Sequence, residues 1–466
     1  SLRGAGISLC SDFVLNHVAH DHEWAVQARN GNPDFQNFFC LAHSQDEVDA
    51  WEKNLPQIFP DTAPGNFTYQ PSLKAWTWTT FYPYQWDLNY ANPQVFNAMA
   101  EELLFLANQG AAVLRLDALA FVWKEAGTGC ENLPKAHTLI KAFNAVARIA
   151  APALQFKSEA IVHPDEVVKY IAPEECQLSY NPLLMALLWD SLATRKTSLL
   201  TASLSKRFAI HPHCSWVNYI RCHDDIGWTF DDSIAWQLGM NPDHHRQFLN
   251  QFYTGQFEGS FAAGVPFQQN PVTGDCRVAG MLSSLAGVEK AEIDKNPLYL
   301  EHALQRIYLL NSVILSIGGL PLLYMGDELG LRNDYSYVND PAKKDDSRWV
   351  NRVAVTDKQL ALASSADSLS GRIYQQLQHL IQTRAQLPLL GSGWTEILRD
   401  DNPHLFLYQR QLDGKRLVAV VNFSEHLQLC SSLAGQLWFD ELTAQKLPAG
   451  PLQLLPYQVL WLTPTH

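Results

Sequence analysis

The chain is short of positive charge. Its 466 residues include 34 Lys and Arg against 47 Asp and Glu, which gives a formal net charge of -13 at pH 7. Nucleic acids and anionic membranes are polyanions, and an acidic surface repels them. We therefore expect neither nucleic acid nor a membrane as partner, and a neutral small molecule as substrate.

The chain also lacks any recognisable cysteine pattern. Its eight cysteines show no Cys-x-x-Cys and no paired spacing typical of zinc sites or disulfide frameworks. Scattered thiols are typical of reduced proteins, so we expect free cysteines and a cytoplasmic location. We expect no signal peptide within these residues. We expect no metal and no other cofactor in catalysis.

No apolar run is long and uninterrupted enough to predict a membrane span. The most apolar segment covers residues 307–326. Its interruptions are Asn311, Ser312, Ser316, Gly318, Gly319 and Pro321. A helix that ends at the Gly-Gly pair, followed by a buried strand, explains this pattern better than a span.

The sequence is rich in apolar strand-like runs that alternate with helix-like runs, the signal for a parallel sheet with crossover helices. The predicted strands are Ile7–Leu15, Ala112–Leu116, Leu154–Lys157, Cys176–Ser179, Trp216–Ile220 and Leu320–Tyr324. The predicted helices are Pro93–Asn108, Lys135–Ala150, Pro182–Thr194 and Tyr299–Ser316. This order predicts an α/β fold with six parallel strands.

Two connections are too long to be simple loops, and such excursions are usually functional. The first, residues 18–90, is rich in aromatic side chains and predicts an inserted subdomain beside a pocket. The second, residues 226–290, predicts an irregular active-site cover. Short alternating strands predict an antiparallel β domain at residues 393–466. The remaining ranges, residues 1–17, 91–225 and 291–392, are expected to form the catalytic barrel portion.

A closed barrel of this kind needs eight strands, and six are predicted here. No internal repeat supplies the other two. We therefore expect a (β/α)8 TIM barrel that is N-terminally incomplete in this sequence, with two inserted subdomains and a C-terminal antiparallel β domain.

Three short runs place carboxylates after predicted strands. They are Arg115-Leu-Asp117, Ser158-Glu159-Ala160 and Arg221-Cys-His-Asp-Asp225. Catalytic residues of such barrels come from the C-terminal ends of several strands, and paired carboxylates are the groups that break glycosidic bonds. These runs predict an enzyme that acts on sugars.

Local spacing indicates different roles for two of these carboxylates. Strand alternation points Arg115 and Asp117 to one face, where the guanidinium keeps the carboxylate ionised as a nucleophile needs. An ion pair with a purely structural role has the same pattern. Glu159 follows an apolar strand and neighbours other carboxylates, so we expect a raised pKa and a proton to donate.

The run Asp12-Phe-Val-Leu-Asn16-His17 and the three carboxylate runs, in this order, resemble the four signature regions of the α-amylase superfamily. The stretches 130–134, 158–162 and 219–228 are most similar to those of amylosucrases, which build α-glucan from sucrose. The resemblance covers essentially the whole chain.

The resemblance implies roles for individual residues. It makes Asp117 the nucleophile, Glu159 the general acid and base, and Asp224 the carboxylate that grips sugar hydroxyls. Substrate contacts are implied for His17, Phe81, Arg115, His223, Asp225 and Arg348. Acceptor contacts are implied for Phe59, Glu175, Arg246 and Arg277. Pro56 stands where one amylosucrase pattern has arginine, which affects the expected chain-length preference.

The resemblance also gives Arg348 a salt bridge that closes the base of the glucose pocket. The aspartate of that bridge has no counterpart in this sequence, so we expect Arg348 to be unpaired and the pocket open at its base. A surface arginine is the alternative interpretation.

These inferences predict a retaining glucosyltransferase that cleaves sucrose, releases fructose and extends an α-1,4-glucan or maltooligosaccharide acceptor. A sucrose hydrolase shares every catalytic residue and differs in how it holds the acceptor. Arg246 and Arg277 favour transfer. A non-catalytic sugar-binding or scaffold protein on the same fold is the alternative from another class, and the three carboxylates speak against it.

Overall fold

The computed structural model describes residues 2–270 and 274–465. The predicted cover at residues 226–290 includes residues 271–273, which lie outside the described residues. The chain divides into two compact units. One consists of Ser1–Tyr180 with Ile210–Ser215, and the other of Asn181–Ala209 with Trp216–His466.

The first unit is built on four parallel strands. Their spatial order is Leu9–Val14, Ala111–Asp117, Gln155–Ser158 and Leu178–Tyr180. Each end lies within two residues of the sequence prediction. The apolar residues that suggested these strands, such as Leu114, Leu116 and Phe156, are fully buried.

Helices and small antiparallel sheets complete this unit. The helices are Glu23–Arg29, Pro33–Gln36, Gln45–Glu52, Pro93–Asn108, Pro134–Ala150 and Pro164–Val167. The predicted aromatic subdomain contains a three-stranded sheet of Leu41–Ala42, Ala75–Trp78 and Phe67–Gln70. The strand His17–Ala19 pairs antiparallel with Gln85–Asp87, which ties the two ends of the first excursion together.

The second unit contains the parallel pair Ser215–Tyr219 and Leu320–Leu322. The described residues thus hold the six parallel strands predicted, four in one unit and two in the other. The helices of the second unit are Pro182–Thr194, Ser198–Arg207, Asp232–Gln237, Pro242–Tyr253, Leu282–Ala286, Val288–Ile293, Pro297–Ser316, Asp357–Ala363, Leu369–Gln386 and Pro388–Ser392. The second excursion carries a short antiparallel pair, Val265–Phe267 with Arg277–Ala279.

An antiparallel sheet forms the C-terminal part, as predicted. Its spatial order is Trp394–Leu398, Leu405–Leu412, Lys415–Asn422, Val459–Pro464, Trp438–Asp440 and Gln445–Leu447. Gln428–Cys430 pairs with Leu452–Leu454 beside it. Alternate residues such as Leu407, Val420 and Leu460 form a buried core.

Asn-Pro pairs start five of the helices. In each pair proline occupies the first turn, where its missing N–H is not needed, and the asparagine side chain accepts a hydrogen bond from a backbone N–H. The capping residues are Asn32, Asn92, Asn181, Asn241 and Asn296. The helices Pro93–Asn108 and Pro182–Thr194, which were predicted from their helix-like periodicity, have the predicted bounds.

A charged cap starts the Asp232–Gln237 helix. The Asp231 carboxylate accepts hydrogen bonds from Ser233 and is ion-paired with Arg207. Burial alone would raise the pKa of Asp231, but these hydrogen bonds and the guanidinium hold it well below its ordinary value.

The apolar segment considered as a membrane span belongs to a helix and a strand. Pro297–Ser316 ends just before the Gly318-Gly319 pair, and Leu320–Leu322 follows. Across residues 2–270 and 274–465, no helix has the length and apolar character that crossing a membrane requires.

Candidate active site

In the first unit, one guanidinium contacts three carboxylates. Arg115 Nη1 donates to Asp117 Oδ1 at 2.5 Å and to Asp12 Oδ1 at 3.0 Å. Arg115 Nη2 lies 3.9 Å from Glu159 Oε1. Asp117 is the last residue of its strand and Glu159 directly follows the next strand. The predicted common orientation of Arg115 and Asp117 is therefore observed.

Arg115 stays charged in this setting. Burial would lower the pKa of its guanidinium, but the Glu159 and Asp117 carboxylates raise it well above its ordinary value. A permanent cation between two carboxylates offsets their mutual repulsion and fixes their positions.

The backbone around Glu159 fixes its carboxylate. The Glu159 N–H donates to the carbonyl of Leu116 at 3.1 Å. The N–H of Ala118 donates to Glu159 Oε2 at 3.1 Å. Ala118 adopts a left-handed conformation with φ 52°, which non-glycine residues rarely do. The turn after the Asp117 strand thus aims an N–H group at Glu159. The predicted raised pKa of Glu159 stays a prediction.

His17 sits buried beside Phe81. Its Nε2 lies 2.9 Å from Gln85 Nε2, and its ring centroid lies 5.3 Å from that of Phe81. Burial lowers the pKa of His17, although Asp87 and Asp117 act in the opposite direction. A neutral imidazole next to an aromatic ring suits a sugar hydroxyl and the apolar face of a pyranose.

A lysine that sequence reasoning missed, with a side chain only 9% exposed, supports this histidine. Lys124 Nζ is surrounded by oxygen atoms of Asp87 (2.6 Å), Phe121 (2.8 Å, backbone), Asn16 (3.2 Å) and Thr80 (3.5 Å). Asp87 is fully buried. The network links the Gln85–Asp87 strand to the residue that precedes His17. A single lysine in a loop has no local signature, so only the tertiary structure reveals it.

In the second unit, Asp224 lies between two guanidinium groups. Arg348 Nη1 is 3.2 Å from Asp224 Oδ1, and Arg352 Nη2 is 3.5 Å from the same oxygen. Arg348 is buried and also pairs with Asp346 at 2.9 Å. The expectation of an unpaired Arg348 is therefore wrong, and so is the surface alternative. Asp346, two residues before Arg348 at the start of the short Ser347–Asn351 turn, supplies the partner.

The backbone of His223 is held by the same segment. Arg352 Nε and Asn351 Nδ2 donate to the His223 carbonyl at 3.0 and 3.3 Å. Arg221 forms a buried ion pair with Asp327 at 2.9 Å. These contacts fix the loop on both sides of His223. Sequence reasoning missed the roles of Arg352 and Asp327.

Asp225 pairs with Arg277. Arg277 Nε lies 3.4 Å from Asp225 Oδ2, and the Asp225 side chain is 7% exposed. Burial raises the pKa of Asp225 despite the nearby guanidinium. This ion pair connects Arg277, which was predicted to contact the acceptor, with Asp225, which was predicted to contact the substrate.

The other predicted acceptor residues lie in different settings. Arg246 belongs to the Pro242–Tyr253 helix, where it pairs with Asp232 and stacks over Phe230 at 4.5 Å. Phe59 is buried, with its ring against those of Phe81 and Tyr82.

The structure corrects the prediction for Glu175. Its carboxylate is buried and bonds to His137 Nδ1 at 2.8 Å and Lys141 Nζ at 3.4 Å. Glu175 lies before the Leu178–Tyr180 strand. Glu159 lies after Gln155–Ser158, the strand that pairs with it in parallel. Glu175 therefore lies toward the amino end of the sheet, away from the strand ends that carry Asp117 and Glu159. Its contacts are those of a structural ion pair, not of an acceptor site.

The described residues contain one close group of potential metal ligands, Cys222, His223 and Asp224. Burial raises the pKa of the Cys222 thiol to about 12, so it is protonated at neutral pH and a poor ligand. Asp224 already faces two guanidinium groups. These residues do not fit a metal.

Helices connect the parallel strands, and ion-paired carboxylates lie at the carboxyl ends of two of these strands. This arrangement is typical of barrel enzymes, whose sites lie at that end of the strands. Residues 1–224 match the family model described as alpha amylase, catalytic domain. The chain is 26% identical over 460 residues to a glucosylglycerate phosphorylase of Escherichia coli strain K12, covering 97% of this chain and 78% of that protein. It is 27% identical over 440 residues to a trehalose synthase of Pimelobacter sp. strain R48, covering 88% and 70%. Residues 1–224 are thus similar to the catalytic domain of alpha amylases, and the rest of the chain is similar to the same relatives.

Solved structures show the same fold. Sucrose 6F-phosphate phosphorylase of Thermoanaerobacter thermosaccharolyticum has a TM-score of 0.68 at 16% identity, covering 90% of this chain and 79% of that one. Isomaltulose synthase of Klebsiella sp. LX3 has a TM-score of 0.66 at 16% identity, covering 100% and 84%. The fold is that of the α-amylase catalytic domain, with six parallel strands in the described residues, followed by a C-terminal antiparallel β domain. Amylosucrase remains the prediction of the motifs, since these relatives and structures carry other names.

Proposed function

We propose that this protein is a retaining glucosyltransferase that cleaves sucrose and transfers the glucosyl group to an α-1,4-glucan acceptor. The observation that carries the proposal is the contact of one guanidinium with both Asp117 and Glu159. Two carboxylates within reach of one Arg115 side chain are compatible with the short separation of about 5–5.5 Å that retaining enzymes use.

The proposed reaction has two displacements. The Asp117 carboxylate attacks the anomeric carbon while Glu159 gives its proton to the leaving fructose oxygen, so a covalent glucosyl-enzyme forms and fructose leaves. Glu159, now a carboxylate, takes the proton from an acceptor hydroxyl. That oxygen attacks the anomeric carbon, the bond to Asp117 breaks, and the configuration is retained.

In this proposal, residues of the second unit bind the sugar and do not react with it. Asp224 accepts hydrogen bonds from sugar hydroxyls, and His223 donates to one of them. Arg348 and Arg352 orient the Asp224 carboxylate through the contacts at 3.2 and 3.5 Å. We assign Asp225 to the fructosyl side of the substrate, with Arg277 as its partner.

The relatives support glucosyl transfer as the reaction class, and their names indicate different acceptors. Some are phosphorylases, in which phosphate takes the glycosyl group, and others are synthases that produce sugars. Water as acceptor would make the protein a sucrose hydrolase. A non-catalytic sugar-binding protein on the same fold would keep none of these activities.

One incubation separates these functions. The protein is supplied with sucrose alone, and with sucrose plus inorganic phosphate, and free fructose, free glucose, glucose 1-phosphate and iodine-staining polymer are followed over time. Fructose in excess of glucose, with polymer formed, supports transfer to glucan. Equal glucose and fructose indicate hydrolysis, and glucose 1-phosphate indicates phosphorolysis.

Matched variants connect the activity to the site. Asp117→Asn is expected to lower fructose release by several orders of magnitude, because the nucleophile is lost. Asp46→Asn, an exposed aspartate in the Gln45–Glu52 helix, serves as the control and is expected to keep wild-type activity. A folded wild-type protein that releases neither sugar from sucrose overturns the assignment.

A further inference from the structure

A row of aromatic rings leads away from His17 in the first unit. The centroid distances are 5.3 Å from His17 to Phe81, 5.9 Å from Phe81 to Phe59, 4.9 Å from Phe59 to Tyr82 and 5.4 Å from Tyr82 to Tyr84. The last two rings are nearly parallel, with an interplanar angle of 8°. No ring in the row is more than 6 Å from the next, so the row is continuous.

The row runs from the interior to the surface. His17 and Phe59 are buried, Tyr82 is half-buried, and Tyr84 is 49% exposed. The segment that carries the two tyrosines is anchored by its backbone: Gln85 N donates to the Tyr82 carbonyl at 2.8 Å, and His20 N to the Tyr84 carbonyl at 2.7 Å. The exposed ring is thus presented by a fixed turn, which lowers the entropy cost of binding to it.

We propose that Tyr84, stacked on Tyr82, is an outer binding subsite for the α-glucan acceptor. The C–H face of a pyranose ring is apolar and packs on an aromatic face, and a tyrosine hydroxyl offers a hydrogen bond to a sugar hydroxyl at the same place. The inference rests on the proposed function, because the inner end of the row is the histidine assigned there to substrate.

An uncharged, extended carbohydrate is the occupant that these observations favour. The rings near Tyr84 include Tyr82 and the imidazole of His20, whose centroid lies 6.4 Å away. A surface of rings suits a neutral polyhydroxylated ligand better than an ionic one. Since four ring-to-ring steps separate Tyr84 from His17, only an acceptor of several sugar units engages both ends. The subsite therefore selects long acceptors over short ones.

Binding without turnover tests the proposal directly. Maltoheptaose and maltose are titrated by calorimetry into wild type and variants in the absence of sucrose. Tyr84→Ala is expected to weaken maltoheptaose binding about threefold to tenfold and leave maltose binding unchanged. Tyr84→Phe keeps the ring and is expected to retain most of the affinity.

Tyr69 provides a matched control. It is 48% exposed, lies in the same aromatic subdomain and contacts Trp76 at 4.8 Å, outside the row. Tyr69→Ala is expected to bind both sugars as the wild type does. Urea unfolding midpoints confirm that each variant is folded, and Tyr82→Leu tests the same subsite independently.

The outcomes separate this inference from the proposed function. Equal maltoheptaose affinity in Tyr84→Ala and Tyr69→Ala overturns the subsite, as does a wild type that does not bind maltoheptaose, whatever happens to sucrose. Loss of maltoheptaose affinity confined to the Tyr84 and Tyr82 variants supports it. If that loss occurs in a protein that cleaves no sucrose, the catalytic proposal fails and the glucan subsite stands.

Discussion

Replacing Lys124 with methionine is expected to destabilise the protein strongly. The Asp87 carboxylate is fully buried, and without Lys124 Nζ at 2.6 Å its remaining partners are the backbone and hydroxyl of Thr80. Breaking a buried ion pair from one side costs about 3–5 kcal/mol, because an uncompensated charge stays in the interior. That is a large part of the roughly 5–15 kcal/mol by which a folded protein is stable.

The double variant Lys124→Met with Asp87→Asn isolates the cause. It removes both charges, so its loss is expected to be smaller, about 1–2 kcal/mol, and close to the cost of imperfectly satisfied hydrogen bonds. Lys135→Met is the control, since Lys135 and Glu125 lie 3.9 Å apart with side chains 60% and 52% exposed. Its expected effect is below about 0.5 kcal/mol.

Urea unfolding followed by tryptophan fluorescence at pH 7 measures these free energies, provided that the transition is two-state. The reasoning is refuted if Lys124→Met loses no more stability than Lys135→Met. It is also refuted if the double variant is less stable than Lys124→Met alone, because buried charge would then not be the origin of the loss.

Three further predictions follow from contacts in the two units. Arg352→Lys is expected to lower kcat/KM for sucrose about tenfold to a hundredfold, because one ammonium cannot serve both Asp224 and the His223 carbonyl; unchanged kinetics in a folded variant contradict that role. Glu175→Gln is expected to lower the urea midpoint and leave the acceptor KM unchanged. If the acceptor KM rises while stability is unchanged, Glu175 contacts the acceptor as first predicted. Asp231→Ala is expected to cost more than the roughly 1 kcal/mol of a helix cap at pH 7, because it also removes the ion pair with Arg207. The pKa of Asp231 is lowered in the folded state, so its stabilising effect is present above about pH 4 and is lost as the pH falls further. The stabilities of wild type and variant, measured by unfolding at decreasing pH, are therefore expected to converge in acid.

Local pattern was enough to predict the frame of the site. Strand alternation over two residues placed Arg115 and Asp117 on one face, and the observed contact of 2.5 Å agrees. Helix-like periodicity predicted Pro93–Asn108 at its observed bounds. Both signals are local in the chain and are therefore visible in the sequence.

Pairing between distant residues was not predictable. Lys124 meets Asp87 across 37 positions, and Arg348 meets Asp224 across 124. A lone lysine or arginine in a loop has no periodicity, so sequence reasoning left Lys124 unmentioned and Arg348 without a partner. The prediction for Glu175 was wrong for a related reason: similarity of position along the chain does not reveal whether a side chain turns toward a neighbouring helix.

The left-handed turn at Ala118 has a consequence for how this region tolerates sequence change. Holding a non-glycine residue at φ 52° costs on the order of 1 kcal/mol, and the turn uses that conformation to aim its N–H at Glu159. In a mutational library, glycine and asparagine at position 118 should be enriched, and β-branched residues should disappear. For protein engineers this is a place where backbone strain next to the reacting groups can be relieved without altering any side chain that touches the sugar.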